Sequence, residues 1–426
     1  MVSASNFLMT LLIARYLGSA EFGRFSLAWL LVMLLTRVQV ALVIAPSMSI
    51  GPKQSSSDVS AYHTIVLAHA LTLAGSAFVF LLGGMLLAAA WFPEWHIEGL
   101  ALPVAFAAVA FQLQDFARRT LFMRDQPVAA FANDAFSYLG KLIALAAAIE
   151  ITPMDSGGVL WLIAITSAIP AMLAIPGRGP WRWDREFAHA VTHRHGRFAV
   201  WLLGANVVSW LSATLPMIVA AAVLGSWAAG ALRAAQTILG VTNVVIEGAE
   251  LTAPKWASTR LQRAGPTGLV ACLRRIAVLV GGPTAILAGV AALYPELWLR
   301  LLFGASYAEY GDVVRWTAAA YLVFALAAPV RIGLNAIEHT SPHLVASILS
   351  AIIGALIIYP FVRTMGVSGA AVVVLMITVI GAGVHLFGLL RGLKRLSAFA
   401  GAERRPSAAS SEVGIDEQGN IHDIMG

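Results

Sequence analysis

The sequence predicts an all-α integral membrane protein of about twelve transmembrane helices, arranged as two six-helix bundles related by an internal repeat. Composition is the first ground: the 426 residues are 59% hydrophobic and 12% charged, with a mean hydropathy of +0.80. Roughly a dozen apolar runs reach about 20 residues, the length that crosses a hydrocarbon core of about 30 Å, and they are too many to be buried helices of one soluble domain. The third ground is repetition. Leu17, Gly18, Ser19 and Gly23 return as Leu224, Gly225, Ser226 and Gly230, at an offset of 207 residues. Weaker echoes come in the same order. Ala45 and Pro46 match Ala253 and Pro254 at 208; Phe92, Pro93 and Glu94 match Tyr294, Pro295 and Glu296 at 202; Arg118 and Leu121 match Arg331 and Leu334 at 213. Shared order and near-constant spacing identify an internal duplication, an architecture common among secondary transporters.

The first span, near 2–17, ends at Ala14 and Arg15 and lacks the basic region and cleavage site of a secretory signal, so it reads as a retained helix. The next five lie near 25–48, 62–92, 99–117, 128–150 and 157–175, completing an N-terminal bundle over residues 1–175. Residues 176–197 form a linker with Arg178, Arg182, Arg185, Arg194 and Arg197 against Asp184 and Glu186. That excess reads as a basic cytoplasmic loop and not as a nucleic-acid surface. The C-terminal bundle, 198–390, has spans near 198–223, 228–251, 269–294, 313–335, 343–362 and 367–390. Residues 391–426 read as a cytoplasmic tail, disordered where Ser, Glu, Asp and Gly dominate beyond Arg404.

Loop charges orient the chain with both termini cytoplasmic. The loops holding Lys53, then Arg118, Arg119 and Arg124, then Lys255, Arg260 and Arg263, and finally Arg391, Lys394 and Arg395 fall inside; Glu94, Glu98, Glu150 and Asp155 fall outside. The loop with Arg300, Glu309 and Asp312 has mixed signs. Much of the net charge of +6 is thus topology. Cys272, the single cysteine, excludes an intrachain disulfide and reads as a small packing residue.

Function rests on polar groups inside the spans, which are costly in hydrocarbon and belong against a cavity or a partner. Arg37 sits mid-span between Gly23 and Pro46, too deep to snorkel to either interface; it is a ligand contact or half of a structural ion pair. Asp134 and Lys141 are seven residues apart, on one helical face, and either bracket a ligand or are fixed by neighbouring helices. Gln39, Asn133, Asn206, Arg233, Gln236 and Asn243 add hydrogen-bonding groups, each also suited to hold helices together. Asp115 with Arg118 and Arg119 has the spacing of a local ion pair. Glu247 and Glu250, near Pro254 and Lys255, are an interfacial acidic pair or carriers of a coupling cation, and Arg331 with Asn335 makes a gate or a lipid-headgroup contact. His189, His193 and His195 share a basic loop with no Cys and few carboxylates, which speaks against a metal.

No phosphate-binding G-x-x-x-x-G-K-[ST], G-x-S-x-G or H-E-x-x-H occurs, so neither ATP hydrolysis nor a common hydrolase is expected; no catalytic residue, cofactor or metal is assigned. A membrane glycan polymerase or ligase is the enzymatic alternative, set back by short outer loops.

Asn6, Phe7 and Leu8, followed by Ala14, Arg15, Tyr16, Leu17, Gly18, Ser19, Ala20, Glu21, Phe22 and Gly23, resemble the first-helix ending of the oligosaccharide (Wzx-type) flippases. These belong to the multidrug, oligosaccharidyl-lipid and polysaccharide (MOP) exporter superfamily, with its MATE-like fold. Pro46, the Arg331 to Asn335 turn, and Met365 through Ala371 are similar to further landmarks, so the resemblance covers about residues 1–395. One departure is that almost nothing precedes the first span. The resemblance implies a bacterial inner-membrane carrier that moves undecaprenyl-pyrophosphate-linked oligosaccharide between leaflets by alternating access, for surface polysaccharide synthesis. Its partners would be that lipid-linked oligosaccharide, membrane lipids, a coupling H+ or Na+, and other glycan-assembly proteins. Guanidinium groups suit a diphosphate crossing a low-dielectric core. Arg37 and Lys141 are the first anion contacts, joined by Arg233 and by Arg15, which matches the Arg of the family's Ala-Arg-x-Leu-Gly pattern; Asp134, Glu247 and Glu250 are the coupling candidates. A cation-coupled multidrug exporter would share the fold but prefer an acidic, aromatic pocket, and a noncatalytic assembly scaffold would be indifferent to cavity substitutions.

Overall fold

The computed structural model describes residues 2–51, 54–55, 58–91, 97–174 and 183–403. Lys53, Glu94, Arg178, Arg182 and the tail from Arg404 onward, all used in the topology argument, lie outside the described residues. Among those described there is no strand.

Helix α1 (Val2–Gln39) runs through a π-helical turn at Val40–Ile44 into α2 (Ala45–Ile50). It is followed by α3 (Val59–Trp91) and α4 (Glu98–Met123). Helix α5 (Pro127–Asp134), a second π-helical turn at Ala135–Leu139 and α6 (Gly140–Ile151) make one pass, and α7 (Ser156–Ala174) ends the first half. The second half holds α8 (Arg185–Leu224), α9 (Ser226–Gly240), α10 (Asn243–Leu293), α11 (Pro295–Phe303), a 3₁₀ turn at Ala305–Tyr310, α12 (Gly311–Ala336), α13 (Ser341–Met365) and α14 (Val367–Glu403).

Nine stretches among the described residues are long and apolar enough to cross a membrane. Two of them, 49 and 51 residues long, would each reach about 75 Å if straight, more than twice the bilayer core. Each breaks at a glycine with left-handed backbone, Gly18 (φ 74°) or Gly265 (φ 63°), so each is two passes. With the pass from Pro127 to Ile151, interrupted by its π turn, the described residues make twelve passes.

The repeat is built into the backbone. Gly18 and Gly225 (φ 104°) occupy the same junction in the two halves, where a Cβ would be strained. The weak Arg118/Arg331 echo marks a matched helix ending. Asp125 (φ 53°) and Glu338 (φ 56°) both adopt the left-handed conformation 213 residues apart. Gln126 N–H then bonds Leu121 C=O, and His339 N–H bonds Leu334 C=O, both at 3.0 Å, closing the same C-terminal capping motif.

Packing differs between the end that carries Gly18 and Gly225, the glycine end, and the end that carries Arg118 and Arg331, the arginine end. At the glycine end, α1 crosses α9 so closely that a Cβ on Gly23 would strike the Ser226 carbonyl and one on Gly230 the Ser19 carbonyl. Small residues permit this approach, with Ala228, Ala229, Ala231, Ala234 and Ala235 fully buried around it. One apolar core joins the halves there, from Ile13, Phe22 and Val104 to Leu299, Phe303 and Val314. At the arginine end the core is in two pieces. Ile246, Leu273, Ile332 and Leu389 form one within the second half; Val43, Ile65 and Phe116 form the other, with Ala188 and Val191 of α8.

That last contact revises the picture of residues 176–197 as a loop. From Arg185 onward they are the first turns of α8, N-capped by the Asp184 carboxylate accepting from Phe187 N–H at 3.0 Å. Ala188 and Val191 sit on the first half's core because they fall three apart on one face, while His189 and His193 stay exposed. His195 is buried against Tyr62, Oη to Nε2 3.0 Å, and beside the His69 ring. Burial, with His69 and Arg194 adding to it, lowers its pKa to about 4.

Candidate functional site

Three groups of polar side chains occupy the passes. The first lies inside the N-terminal half, where α4 carries Gln112, Gln114, Asp115 and Arg118, and Gln114 and Arg118 reach α5. The Asp115 carboxylate accepts from Arg118 Nη2 at 2.6 Å and Arg119 Nε at 2.7 Å. This is the ion pair that the i, i+3 and i, i+4 spacing predicts. Arg118 Nε is also 3.9 Å from Asp134. Gln114 donates to Asn133 at 3.0 Å and to Asp134 at 3.4 Å, and Asn133 donates to the Pro170 carbonyl of α7 at 3.0 Å.

Lys141 is 2% exposed, with its ammonium 4.5 Å from the Tyr138 ring centre and 5.1 Å from that of Phe111. No ion pair joins it to Asp134 among the described residues. The physical reason is the π turn at Ala135–Leu139, whose extra residue rotates the next helical turns by roughly 100° relative to an unbroken helix. Asp134 therefore addresses α4, while Lys141 enters an aromatic box that stabilises a cation by its ring quadrupoles. Around them the Gln39 and Gln114 carbonyl oxygens, both amide atoms of Gln112 and the hydroxyls of Ser137 and Ser167 are buried without a partner among the described residues. The bundle interior thus keeps unused hydrogen-bonding capacity.

The second group sits on α1 and α9, helices through which the two halves meet. Arg37 is exposed and has no carboxylate within ion-pair distance among the described residues. It follows Gly23 by 14 residues, just under four turns, which brings it to within about 40° of the face that meets α9. Arg37 therefore lies beyond the α1–α9 crossing, two residues past Leu35, the last α1 residue in the shared core. Arg15, also exposed, is at the glycine end and donates to the Leu301 carbonyl of α11 at 3.3 Å. Arg233 follows Gly230 on α9, half-buried beside Tyr321 of α12. The Tyr321 hydroxyl contacts the Gln236 carbonyl at 3.5 Å and the Asn243 side chain.

The third group lies within the C-terminal half. Glu247 is exposed on α10, and the Glu250 carboxylate accepts from Arg331 Nε at 2.8 Å and from its Nη2. Arg331 also stacks over Phe324, 4.3 Å to the ring centre, and Asn335 meets His343 at 3.1 Å. The Arg331–Asn335 face is therefore tied to protein neighbours. The structure brings Asp134 and Lys141 into one bundle and Glu250 into another, and it leaves Arg37 and Arg15 at separate depths. Sequence reasoning passed over Gln112, Gln114, Phe111, Tyr138, Tyr321 and the His343–His385 pair. The two glutamines were detectable, since paired amides next to Asp115 in an apolar run are as costly as any intramembrane polar group.

The sequence matches no protein-family model and no curated protein sequence. Solved structures do match. An inward-facing conformation of a multidrug resistance MATE family transporter of the MOP superfamily superposes with a TM-score of 0.75 at 12% identity, covering 94% of this chain and 96% of that one. An outward-facing conformation of a transporter so described gives 0.59 at 14% identity, over 94% and 95%. Lipid II flippase MurJ in an inward closed conformation gives 0.62 at 12% identity, over 93% and 88%. The chain has the fold of the MOP-superfamily transporters and flippases, and is a multi-pass membrane protein.

Proposed function

We propose that the protein is a flippase that carries an undecaprenyl-pyrophosphate-linked oligosaccharide from the cytoplasmic to the periplasmic leaflet of the bacterial inner membrane, for surface polysaccharide synthesis. The two bundles, residues 1–175 and 198–390, rock against each other, with both termini cytoplasmic. Positive charge supports that orientation: Arg119, Arg124, Lys255, Arg260, Arg263, Arg391 and Lys394 cluster toward the arginine end, Glu150 and Asp155 toward the other. The arginine end is then the cytoplasmic mouth of a carrier whose outer end is closed.

The observation that carries the cargo assignment is Arg37, an exposed mid-span guanidinium within about 40° of the α9-facing side of α1, without a carboxylate partner among the described residues. A permanent cation at that depth favours an anionic guest, and a diphosphate takes it in a bidentate geometry. Arg233 contributes from the opposing bundle, Lys141 from behind its aromatic box, and Arg15 at the release end. A cation, H+ or Na+, drives the cycle through Asp134, Glu247 or Glu250. Membrane lipids flank the passes, and glycan-assembly proteins consume the exported lipid.

The test replaces Arg37 by Ala and by Lys in a strain that depends on this gene, with protein level checked, and assays the leaflet of the lipid-linked oligosaccharide. Normal insertion with cytoplasmic accumulation in R37A, eased in R37K, is the expected result. Unchanged export makes Arg37 structural and transfers the assignment to a cation-coupled multidrug exporter, read next by export of organic cations.

A further inference from the structure

Cargo binding and coupling through the carboxylates leave a pair of titratable side chains in the C-terminal half unused. His343 at the start of α13 and His385 on α14 face each other with ring centres 5.0 Å apart. Both nitrogens of His385 are shielded from solvent and have no hydrogen-bond partner among the described residues. A neutral imidazole always carries one N–H, so burying both nitrogens unpaired is costly and calls for a reason beyond packing. Two imidazoles this close hold one added proton between them far more readily than two, because the second would face a like charge.

A graded route leads to the pair. Asn335 is exposed at the arginine end and contacts His343 Nε2 at 3.1 Å; His343 is half-buried, and the nitrogens of His385 lie beyond it. The charged groups around the pair come from every packed element. Arg331 on α12 disfavours a proton on His343 and on His385, whereas Glu250 on α10 favours one on His343, so the proton and the guanidinium compete for that carboxylate. His339 lies against Gly392 of α14. Glu247, Arg274 and Arg275 of α10, and Arg391, Lys394 and Arg395 below His385 on α14, are exposed, and Glu247 acts electrostatically on Tyr321 of α12. The neighbouring helix α8 adds no ionisable group between Leu202 and Leu224.

The Arg331–Glu250 bond is what such a proton would disturb. It joins α12 to α10, the helix that carries the exposed Glu247 and the Gly265 break. An imidazolium beside Arg331 repels that guanidinium and competes for Glu250, so its arrival loosens the α10–α12 link, and its departure restores it.

We propose that His343 and His385 form a proton-binding site inside the C-terminal bundle, filled from the arginine end, whose occupancy sets the strength of the Glu250–Arg331 link and so the spread of the cleft. The site deepens the alternating-access reading by naming the coupling ion as H+, and it rests on that reading for its purpose.

The test needs no cargo. Full-length protein carrying ¹⁵N-histidine is placed in lipid nanodiscs and titrated between about pH 5 and 8, the range in which imidazoles change charge. The wild type is compared with H343F, H385F and, as a fold-preserving control, H385Q. In a C272S background, spin labels at D125C and E338C, two exposed turns at the arginine end of opposite halves, report the spread of the bundles over the same range.

The expected result is one shared titration in the wild type, absent from each single variant, with a label distance that follows it and becomes pH-independent in H385Q. Two rings that stay neutral throughout overturn the site. So does a distance response that survives in H385Q. A shared titration together with unchanged export in the R37A strain keeps the proton site and removes the anionic cargo. Loss of export in R37A with no histidine titration does the reverse.

Discussion

The glycine end and the arginine end are made from the same twelve passes, yet one is a single core and the other is two. The difference is side-chain size at the crossing. Gly23 and Gly230 let α1 and α9 touch backbone to backbone, and alanines fill the surroundings, so apolar residues from both halves merge. Fourteen residues further along the same helical face stands Arg37, which does not pack into an apolar seam. Small residues close a membrane interface, and a charge on the same stripe keeps it apart. That asymmetry is written along one helix.

Breaking the closed end is expected to have the largest effect. In Gly23→Val the new side chain meets the Ser226 carbonyl, and neither backbone can yield alone. The halves separate, and denaturant unfolding in detergent is expected to show a loss of more than about 3 kcal/mol. A variant as stable as the wild type would mean that the crossing is not a structural contact.

Phe303 and Ile332, each 1% exposed, sharpen the contrast, because one lies in the shared core and the other in a core of the second half alone. Truncation to Ala should cost each about 3 kcal/mol. Only Phe303→Ala, however, should raise labelling of a cysteine placed at Ala14, by opening the seam between halves. Equal labelling in both would erase the distinction.

Within the first half, Asp115→Ala leaves Arg118 and Arg119 without their nearest carboxylate in a part-buried site. About 2 kcal/mol is expected to be lost, and Asp115→Asn should recover part of it by keeping a hydrogen-bond acceptor. The melting temperature of the three proteins orders them.

A smaller effect attaches to the α8 anchor. His195 has a folded pKa of about 4, below its ordinary value of 6.5, so it is neutral when docked on Tyr62. The undocked segment binds the proton more readily. Docking is therefore fully favoured above about pH 6.5 and weakens as pH falls from there toward 4. Hydrogen exchange of residues 187–195 should accelerate over that window in the wild type and lose its pH dependence, after correction for intrinsic rates, in His195→Phe.

The smallest change is expected from Arg315→Ala. Its partners Glu296 and Asp312 are well exposed at the glycine end, and solvent screens both pairs. No shift of the unfolding midpoint is expected.

Membrane spanning, the number of passes and the duplication were legible in the chain because they depend on hydropathy summed over about 20 residues and on glycines at fixed offsets. The Asp115 pair was legible because its partners are one turn away. The partner of Arg331 was not: Glu250 is 81 residues off, on another helix. Arg118 and Arg331 hold matching places in the repeat, yet one answers to carboxylates on its own helix and on α5, the other to α10. Duplication copies backbone more faithfully than partners.

What the sequence determined by itself is therefore local in one dimension: which stretches leave water, where they turn, and which polar residues go with them. Tertiary structure decided the rest. It turned Lys141 into an aromatic box through a π turn that no spacing rule registers, joined two histidines from different passes, and merged the cores at one end only. Those outcomes depend on which helix faces meet, and that is set by distances across the fold that periodicity along a single chain does not encode.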